Sequence, residues 1–342
     1  MKRILQAMTI GLGIAAGAGQ AMADGELHIY NFGNYTSPDM VAKFEKTYNV
    51  KVTLNSYDSN DEMLAKVKAG GSGFDIVVPS SYVVPGMIKD GLLAKIEPNT
   101  LANFKNLRPE FVNIYWDQGR HYSVPWLWGT TGVTVNTDAY KGDVDTWKII
   151  FDTPPELKGM VNALPEMTDT MSAASFYLGQ DPCSDSKEDL KKLNDLLFKA
   201  KKDWRAMNYS TIENLTAKNF LATVDYNGSA LRAKRQTPSL KYGYPKEGMQ
   251  TWMDNMVVLK DAKNLENAKL FLNFIMDPEN AAMMSTFSGY DNAVQGSDKF
   301  FTKDMIGAPE LTPPAGFKYV FLPACSQKVA TMHAKIWGNL LK

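Results

Sequence analysis

The stretch Phe74-Asp75-Ile76-Val77-Val78-Pro79-Ser80-Ser81-Tyr82 decides the fold class. Phe74 to Val78 reads as a continuous apolar strand of the kind buried on both faces, and Pro79-Ser80-Ser81 ends it. Upstream, Glu26 to Tyr30 alternates as a first strand and Val50 to Tyr57 as a second. Between them Met40, Val41, Phe44 and Tyr48 follow helical spacing, with Ser37 placed as a cap and Pro38 at the first helical position. Asn60 to Ala69 reads as a short amphipathic helix. Strand, helix, strand, helix, strand is the rhythm of a parallel sheet with crossover helices.

Further along, a short helix is expected over Val83 to Asp90. Thr130 to Asn136 reads as a strand crossing between two lobes. Helices are expected over Ser172 to Leu178, Ser186 to Ala200 and Ala217 to Ala222, with strands at Thr223 to Tyr226 and Met256 to Leu259. Amphipathic helices follow over Asn264 to Met276 and Pro278 to Thr286. The Pro-rich run Ala308 to Gly316 is a connector before a last helix, Ser326 to Leu341.

The chain has 342 residues, 44% of them hydrophobic and 11% aromatic, with 37 Lys and Arg against 37 Asp and Glu. This length suits two lobes. The charge balance argues against nucleic acid as a partner, and the ordinary hydrophobic content argues against a disordered or polytopic membrane chain. Lys2 and Arg3, the apolar run Ile4 to Ala16 and the small-x-small triplet Ala21-Met22-Ala23 together read as a signal peptide removed after Ala23. The apolar run is too short to span a bilayer. Removing it leaves an exported chain of net charge −2. Cys183 and Cys325 then lie in an oxidising compartment, either as one long-range disulfide or as two buried thiols.

Catalytic and metal-binding signals are poor. His28, His121 and His333 are far apart, and no closely spaced His/Cys ligand set, G-x-S-x-G elbow or phosphate loop occurs. Ala69-Gly70-Gly71-Ser72-Gly73 makes a turn, and Asn227-Gly228-Ser229 reads as a strand-to-helix turn with a cap. Asn208-Tyr209-Ser210 matches a glycosylation sequon, a motif frequent by chance.

Three segments instead pair acids or amides with aromatics at strand ends: Asn31 to Tyr35, Ser80 to Tyr82 and Trp252-Met253-Asp254. Open α/β sheets bind ligands outside the carboxyl ends of their strands. A carboxylate flanked by aromatic rings suits a cationic amine. Glu166 and Asp169, three apart before a helix, serve either as helix N-terminal charges or as an anchor for an ammonium. Trp126, Trp128, Tyr226 and Tyr290 are candidates for an aromatic box, although Trp126-Leu127-Trp128 also fits simple alternation across a strand.

Taken in order along the chain, these segments resemble the periplasmic polyamine-binding proteins of ABC importers, the spermidine/putrescine type. The resemblance also rests on Pro125 to Thr131, Tyr226 to Ala230, Pro245 to Gly248, the helix Ala268 to Ile275 and Gly289-Tyr290. It implies an α/β, two-lobed periplasmic binding protein fold of type II-like form, with a ligand cleft between lobes joined by crossing hinge strands. The expected lobes are 24–133 plus 259–306 and 134–258 plus 307–342. The implied ligand-binding residues are Phe32, Asn34, Tyr35, Ser81, Tyr82, Glu166, Asp169, Tyr226, Trp252, Asp254 and Tyr290, with no cofactor or metal. The expected partners are a small amine and the permease subunits of an ABC importer, for a monomer in the periplasm.

Three positions depart from the family pattern: Phe32 and Tyr226 stand in place of Trp, and Asn34 in place of an acid. The region around Leu322 and Pro323 also lacks a polar residue that some relatives place in the cleft. An opine or other zwitterionic amino-acid conjugate is therefore the alternative cargo. A secreted hydrolase using Glu166 and Asp169 is the alternative class, opposed by the fact that acids three apart on one helix share a face instead of flanking a bond. A module signalling through a receptor is a third reading.

Overall fold

The computed structural model describes residues 25–317 and 320–342; the expected signal peptide lies outside them. In chain order the strands are β1 (Gly25–Phe32), β2 (Val50–Tyr57), β3 (Ile76–Val77), β4 (Ser123–Asn136), β5 (Val161–Ala163), β6 (Trp204–Met207), β7 (Ala222–Tyr226), β8 (Leu240–Gly243) and β9 (Thr251–Val258). The helices are α1 (Pro38–Tyr48), α2 (Asn60–Lys68), α3 (Val84–Lys89), α4 (Lys148–Phe151), α5 (Met167–Tyr177), α6 (Lys187–Ala200), α7 (Thr211–Thr216), α8 (Asn227–Gln236), α9 (Leu265–Ile275), α10 (Pro278–Ser288) and α11 (Gln327–Leu340).

Local chemistry fixes many of these ends. Ser37, Ser59, Ser186, Asp277 and Ser326 each accept a backbone N–H at a helix start, satisfying donors that the helix itself leaves unpaired. Pro38 and Pro278 occupy first-turn positions where a missing N–H costs nothing.

The sheet runs β2-β1-β3-β9-β4-β7-β5-β6, with β8 also on β4. It is parallel where β1 meets β2 and β3 and where β5 meets β6 and β7. The pairs β3–β9, β4–β9, β4–β7 and β4–β8 are antiparallel, so the sheet is mixed at its centre. The fully buried β4 is the shared element. Its first part, Ser123 to Thr130, pairs β9, and its second, Thr131 to Asn136, pairs β7 and β8.

Two main apolar cores lie on either side of this crossing. One gathers Leu27, Ile29, Phe44, Ile76, Met256, Phe271 and Leu272. The other gathers Val133, Val135, Trp147, Leu157, Val161, Leu197, Val224 and Leu340. Cys183 and Cys325 form a disulfide with Cα atoms 5.2 Å apart, which ties the loop before α6 to the segment before α11.

Several sequence expectations need correction. The crossing strand begins at Ser123 rather than Thr130 and contains Trp126 and Trp128. The helix expected at Ala217 to Ala222 lies earlier, at Thr211–Thr216; Lys218, with φ of 58°, turns the chain into the left-handed region and stops it. The helix expected from Ser172 begins at Met167, which brings Asp169 into its first turn. Helix α8 starts at Asn227 with no side-chain cap, and Ser229 instead hydrogen-bonds the Tyr290 hydroxyl at 3.0 Å.

Candidate functional site

A cavity of about 530 Å³ opens between the two cores, within the size range of small-molecule sites. All eleven residues singled out from sequence line it: Phe32, Asn34, Tyr35, Ser81, Tyr82, Glu166, Asp169, Tyr226, Trp252, Asp254 and Tyr290. Phe32 ends β1 with Asn34 and Tyr35 just beyond it, Ser81 and Tyr82 follow β3, and Tyr226 closes β7. These are the strand ends where open α/β sheets hold ligands. Glu166 and Asp169 come from the start of α5, Trp252 and Asp254 from β9, and Tyr290 from the turn after α10.

Asp254 is 5% exposed. Its Oδ1 accepts the Ser80 hydroxyl at 2.6 Å and its Oδ2 the Tyr35 hydroxyl at 2.9 Å. Asn60 braces this arrangement: its Oδ1 accepts the Ser80 backbone N–H, while its Nδ2 donates to Ser80 Oγ and the Tyr82 hydroxyl. Burial pushes the Asp254 pKa up to about 7, against the pull of the two hydroxyl donors.

The second acidic station is Glu166 with Asp169. Glu166 Oε2 accepts the Tyr209 hydroxyl at 3.0 Å; Asp169 accepts the Tyr226 hydroxyl at 2.5 Å and Thr131 Oγ1 at 3.3 Å. Glu166 sits at the N-cap of α5 and Asp169 in its first turn, where the helix dipole favours negative charge. Burial nevertheless raises both pKa values, and for Glu166 the neighbouring Asp169 charge adds to the rise. Among the described residues, neither station carries a Lys or Arg partner within ion-pair distance.

Aromatic rings connect the stations. Tyr226 meets Trp252 edge-on with centroids 5.6 Å apart, Trp252 meets Tyr290 at 5.1 Å, and Tyr290 meets Tyr35 at 5.6 Å. Phe32 closes the row against Tyr35 at 6.1 Å. Two glycines make room for this wall. A Cβ on Gly129 would lie 2.7 Å from the Trp252 ring, and one on Gly228 would lie 2.4 Å from the Tyr290 ring. The Trp252 Nε1–H is buried with no hydrogen-bond partner among the described residues.

Trp126 and Trp128 do not join this box. Both pack in the first core, and Trp128 donates its indole N–H to the Asn292 carbonyl. Because both faces of β4 are buried, alternation along it does not distinguish a cavity wall from a core. Sequence reasoning placed Ser80 in a candidate segment but not among the binding residues, and it passed over Tyr209 and Arg232. Ser80 adjoins the chosen Ser81, and Tyr209 sits inside the sequon noted only for its chemistry with sugars. Arg232 lies two turns beyond Tyr226 on α8, a spacing that acquires meaning only once the helix is placed. Leu322 and Pro323 line the cavity with apolar surface, as does the Cys183–Cys325 bridge.

Comparison with known proteins accords with this architecture. Residues 39–313 match the family model described as bacterial extracellular solute-binding protein. The chain is 32% identical to the putrescine-binding periplasmic protein SpuD of Pseudomonas aeruginosa, over 97% of each chain. It is 29% identical to the putrescine-binding periplasmic protein PotF of Escherichia coli, over 99% of this chain and 98% of that one. A solved structure of a candidate spermidine/putrescine ABC transporter from Listeria monocytogenes superposes with a TM-score of 0.86 at 30% identity, covering 92% of this chain and 98% of the other. By name the first two relatives bind putrescine in the periplasm, and the third belongs to a spermidine/putrescine ABC transporter. Among the described residues, no helix is long and apolar enough to cross a membrane.

Proposed function

Given that this chain belongs to the bacterial extracellular solute-binding protein family, we propose that it captures a polyamine in the periplasm and delivers it to the permease subunits of an ABC importer. The observation that carries this reading is a set of acids, Asp169 and Asp254 buried and Glu166 half-buried, that have no cationic partner among the described residues. Glu166, Asp169 and Asp254 line one cavity, and the side-chain hydrogen bonds they accept come from hydroxyl groups instead of cations. A carboxylate removed from water is costly until a charged partner replaces its hydration. A protonated amine supplies that partner, and the row of rings from Tyr226 to Phe32 covers the methylenes between its nitrogens.

In this reading Phe32, Asn34, Tyr35, Ser81, Tyr82, Tyr226, Trp252 and Tyr290 form the walls, and Asp254 with the Glu166/Asp169 pair holds the ammonium groups. The lobes belong to the same proposal: 24–133 with 259–306 on one side and 134–258 with 307–342 on the other. The two separate cores support the division apart from β9, whose Met253, Met256 and Val258 pack in the first core and none of whose residues pack in the second. Closure of the lobes is stabilised by ligand contacts made to both, and the chain acts as a monomer with no cofactor.

A thermal-shift titration of the protein from Asp24 onward tests the reading. Putrescine or spermidine should raise the melting temperature, with the rise following the logarithm of ligand excess over Kd. No shift with any amine at millimolar concentration, alongside a shift with an anionic or neutral solute, overturns it.

A further inference from the structure

The cavity has a cationic end that the polyamine reading leaves unused. Arg232, half-buried on the second turn of α8, lines the cavity with Asn34 of the opposite lobe. Its Nη2 donates to Asn34 Oδ1 at 3.1 Å, its Nη1 approaches the Asn34 carbonyl at 3.4 Å, and its guanidinium lies 5.7 Å from the Phe287 ring. Among the described residues it has no carboxylate partner within ion-pair distance. Burial draws its pKa down, yet a guanidinium starts so high that it stays charged at neutral pH.

A chain of contacts orders the cavity from end to end. Asp169 bonds Tyr226, Tyr226 meets Trp252, and Trp252 meets Tyr290. Tyr290 meets both Tyr35, the donor to Asp254, and Ser229, one turn before Arg232 on α8. Buried carboxylate therefore occupies the Glu166/Asp169 end and the middle, while the Asn34 end presents a neutral amide beside a fixed positive charge. The remaining acids lining the cavity, Asp58, Asp61 and Glu213, are exposed, so water and salt screen them.

We propose that Arg232 is a specificity-determining residue that limits the cargo to two ammonium groups, one at the Glu166/Asp169 pair and one at Asp254, and disfavours a third. A diamine satisfies both acid stations and ends before Arg232. A linear triamine bound at the same two stations carries its third ammonium toward the guanidinium, in a partly desolvated space where like charges repel strongly.

This rests on the polyamine reading, and calorimetric titration of putrescine and spermidine separates the two. Wild-type protein should favour the diamine. Arg232→Gln should raise the spermidine-to-putrescine affinity ratio about tenfold or more, and Arg232→Lys should keep the wild-type ratio. Asn34→Asp is a second route: aspartate tolerates the left-handed backbone there (φ 55°) and gives Arg232 a carboxylate partner, so the ratio should again rise. If both amines weaken or strengthen equally in Arg232→Gln, Arg232 only holds the lobes together and the assignment is wrong. If wild-type protein binds neither amine, the polyamine reading falls first and takes this inference with it.

Discussion

Tyr35 donates its phenolic hydrogen to Asp254 over 2.9 Å, joining residues 219 positions apart. The bond couples the turn after the first strand to the last strand of the sheet, and it leaves Asp254 buried without a cation. Asp254→Ala should therefore weaken amine binding by about 2–5 kcal/mol, the cost of truncating one partner of a desolvated charge pair. Calorimetry on the purified variant checks this, and unchanged affinity would remove Asp254 from the site. In the absence of ligand, Asp254→Asn should melt at or above the wild-type temperature at pH 8, because a buried ionised group is replaced by a neutral isostere.

The raised carboxyl pKa values set a pH dependence with opposite signs for stability and binding. Asp254 and Asp225 are each pushed up to about 7 from 3.8, mainly by burial, and the Glu166/Asp169 pair is raised as well. The folded state then holds protons that the unfolded chain has released. Stability without ligand should be greatest below about pH 4 on this account and fall as pH rises to about 7, by roughly 1.4 kcal/mol per pH unit for each retained proton. Amine affinity should rise over the same window, since an ammonium needs the ionised carboxylate. Melting curves from pH 5 to pH 8 test the first half. Calorimetry in buffers of different ionisation enthalpy tests the second, where proton release on binding is expected.

Sequence made the helix starts readable at Ser37-Pro38, because capping chemistry is local, and at Pro278. It also pointed to the cavity walls, because residues at the carboxyl ends of parallel strands converge by topology alone. The start of α5 was hidden: Thr168, Thr170 and Ser172 are weak helix formers, and burial of both faces in this helix erases the amphipathic period. Trp126 and Trp128 were ambiguous for the related reason that every residue of β4 is buried. The Cys183–Cys325 pairing and the reach of Arg232 to Asn34 depend on packing across 142 and 198 positions, which no local pattern encodes.

The disulfide should contribute to stability and to the cavity wall together. It closes a span of 142 positions, so cross-linking removes much freedom from the unfolded chain. It also anchors Leu322 to Cys325 beside the ligand space. The double variant Cys183→Ser with Cys325→Ser should lose about 2–5 kcal/mol in denaturant unfolding. Amine affinity should drop as well, because a cavity wall held less firmly must be ordered at the moment of binding. Equal affinity with lower stability would confine the bridge to a purely stabilising role.

Gly228 separates packing of the wall from stability of the helix. Alanine is the better helix former, by about 1 kcal/mol in an exposed helix interior, so Gly228→Ala would be expected to strengthen α8. Its Cβ, however, would stand 2.4 Å from Cδ1 of Tyr290, at the root of a rigid ring held by Tyr35, Trp252 and Ser229. The ring must move, and the row of aromatics opens with it. The expected outcome is amine affinity reduced about tenfold or more, larger than any change in melting temperature accounts for.

Arg120 links the interior of the first core to the floor of the cavity. It is fully buried and donates to the Phe111 carbonyl, Ser123 Oγ and Asn255 Oδ1. Its second terminal nitrogen lies against the Met253 sulfur, and its guanidinium is 5.7 Å from the Trp116 ring. Met253 and Asn255 flank Asp254, so the guanidinium supports the strand that presents the central carboxylate. Burial lowers the Arg120 pKa to about 9, while the nearby Asp117 charge resists the change. Arg120→Met keeps much of the volume but strands the Phe111 carbonyl and Ser123 Oγ, leaves Asn255 Oδ1 only its Trp116 donor, and takes a positive charge from beside Asp117. It should destabilise the fold by about 3–5 kcal/mol. Amine binding in the surviving folded fraction should also weaken as β9 loses its support. Chemical denaturation read alongside calorimetry distinguishes these effects: full affinity per folded molecule would show that Asp254 is positioned without help from Arg120.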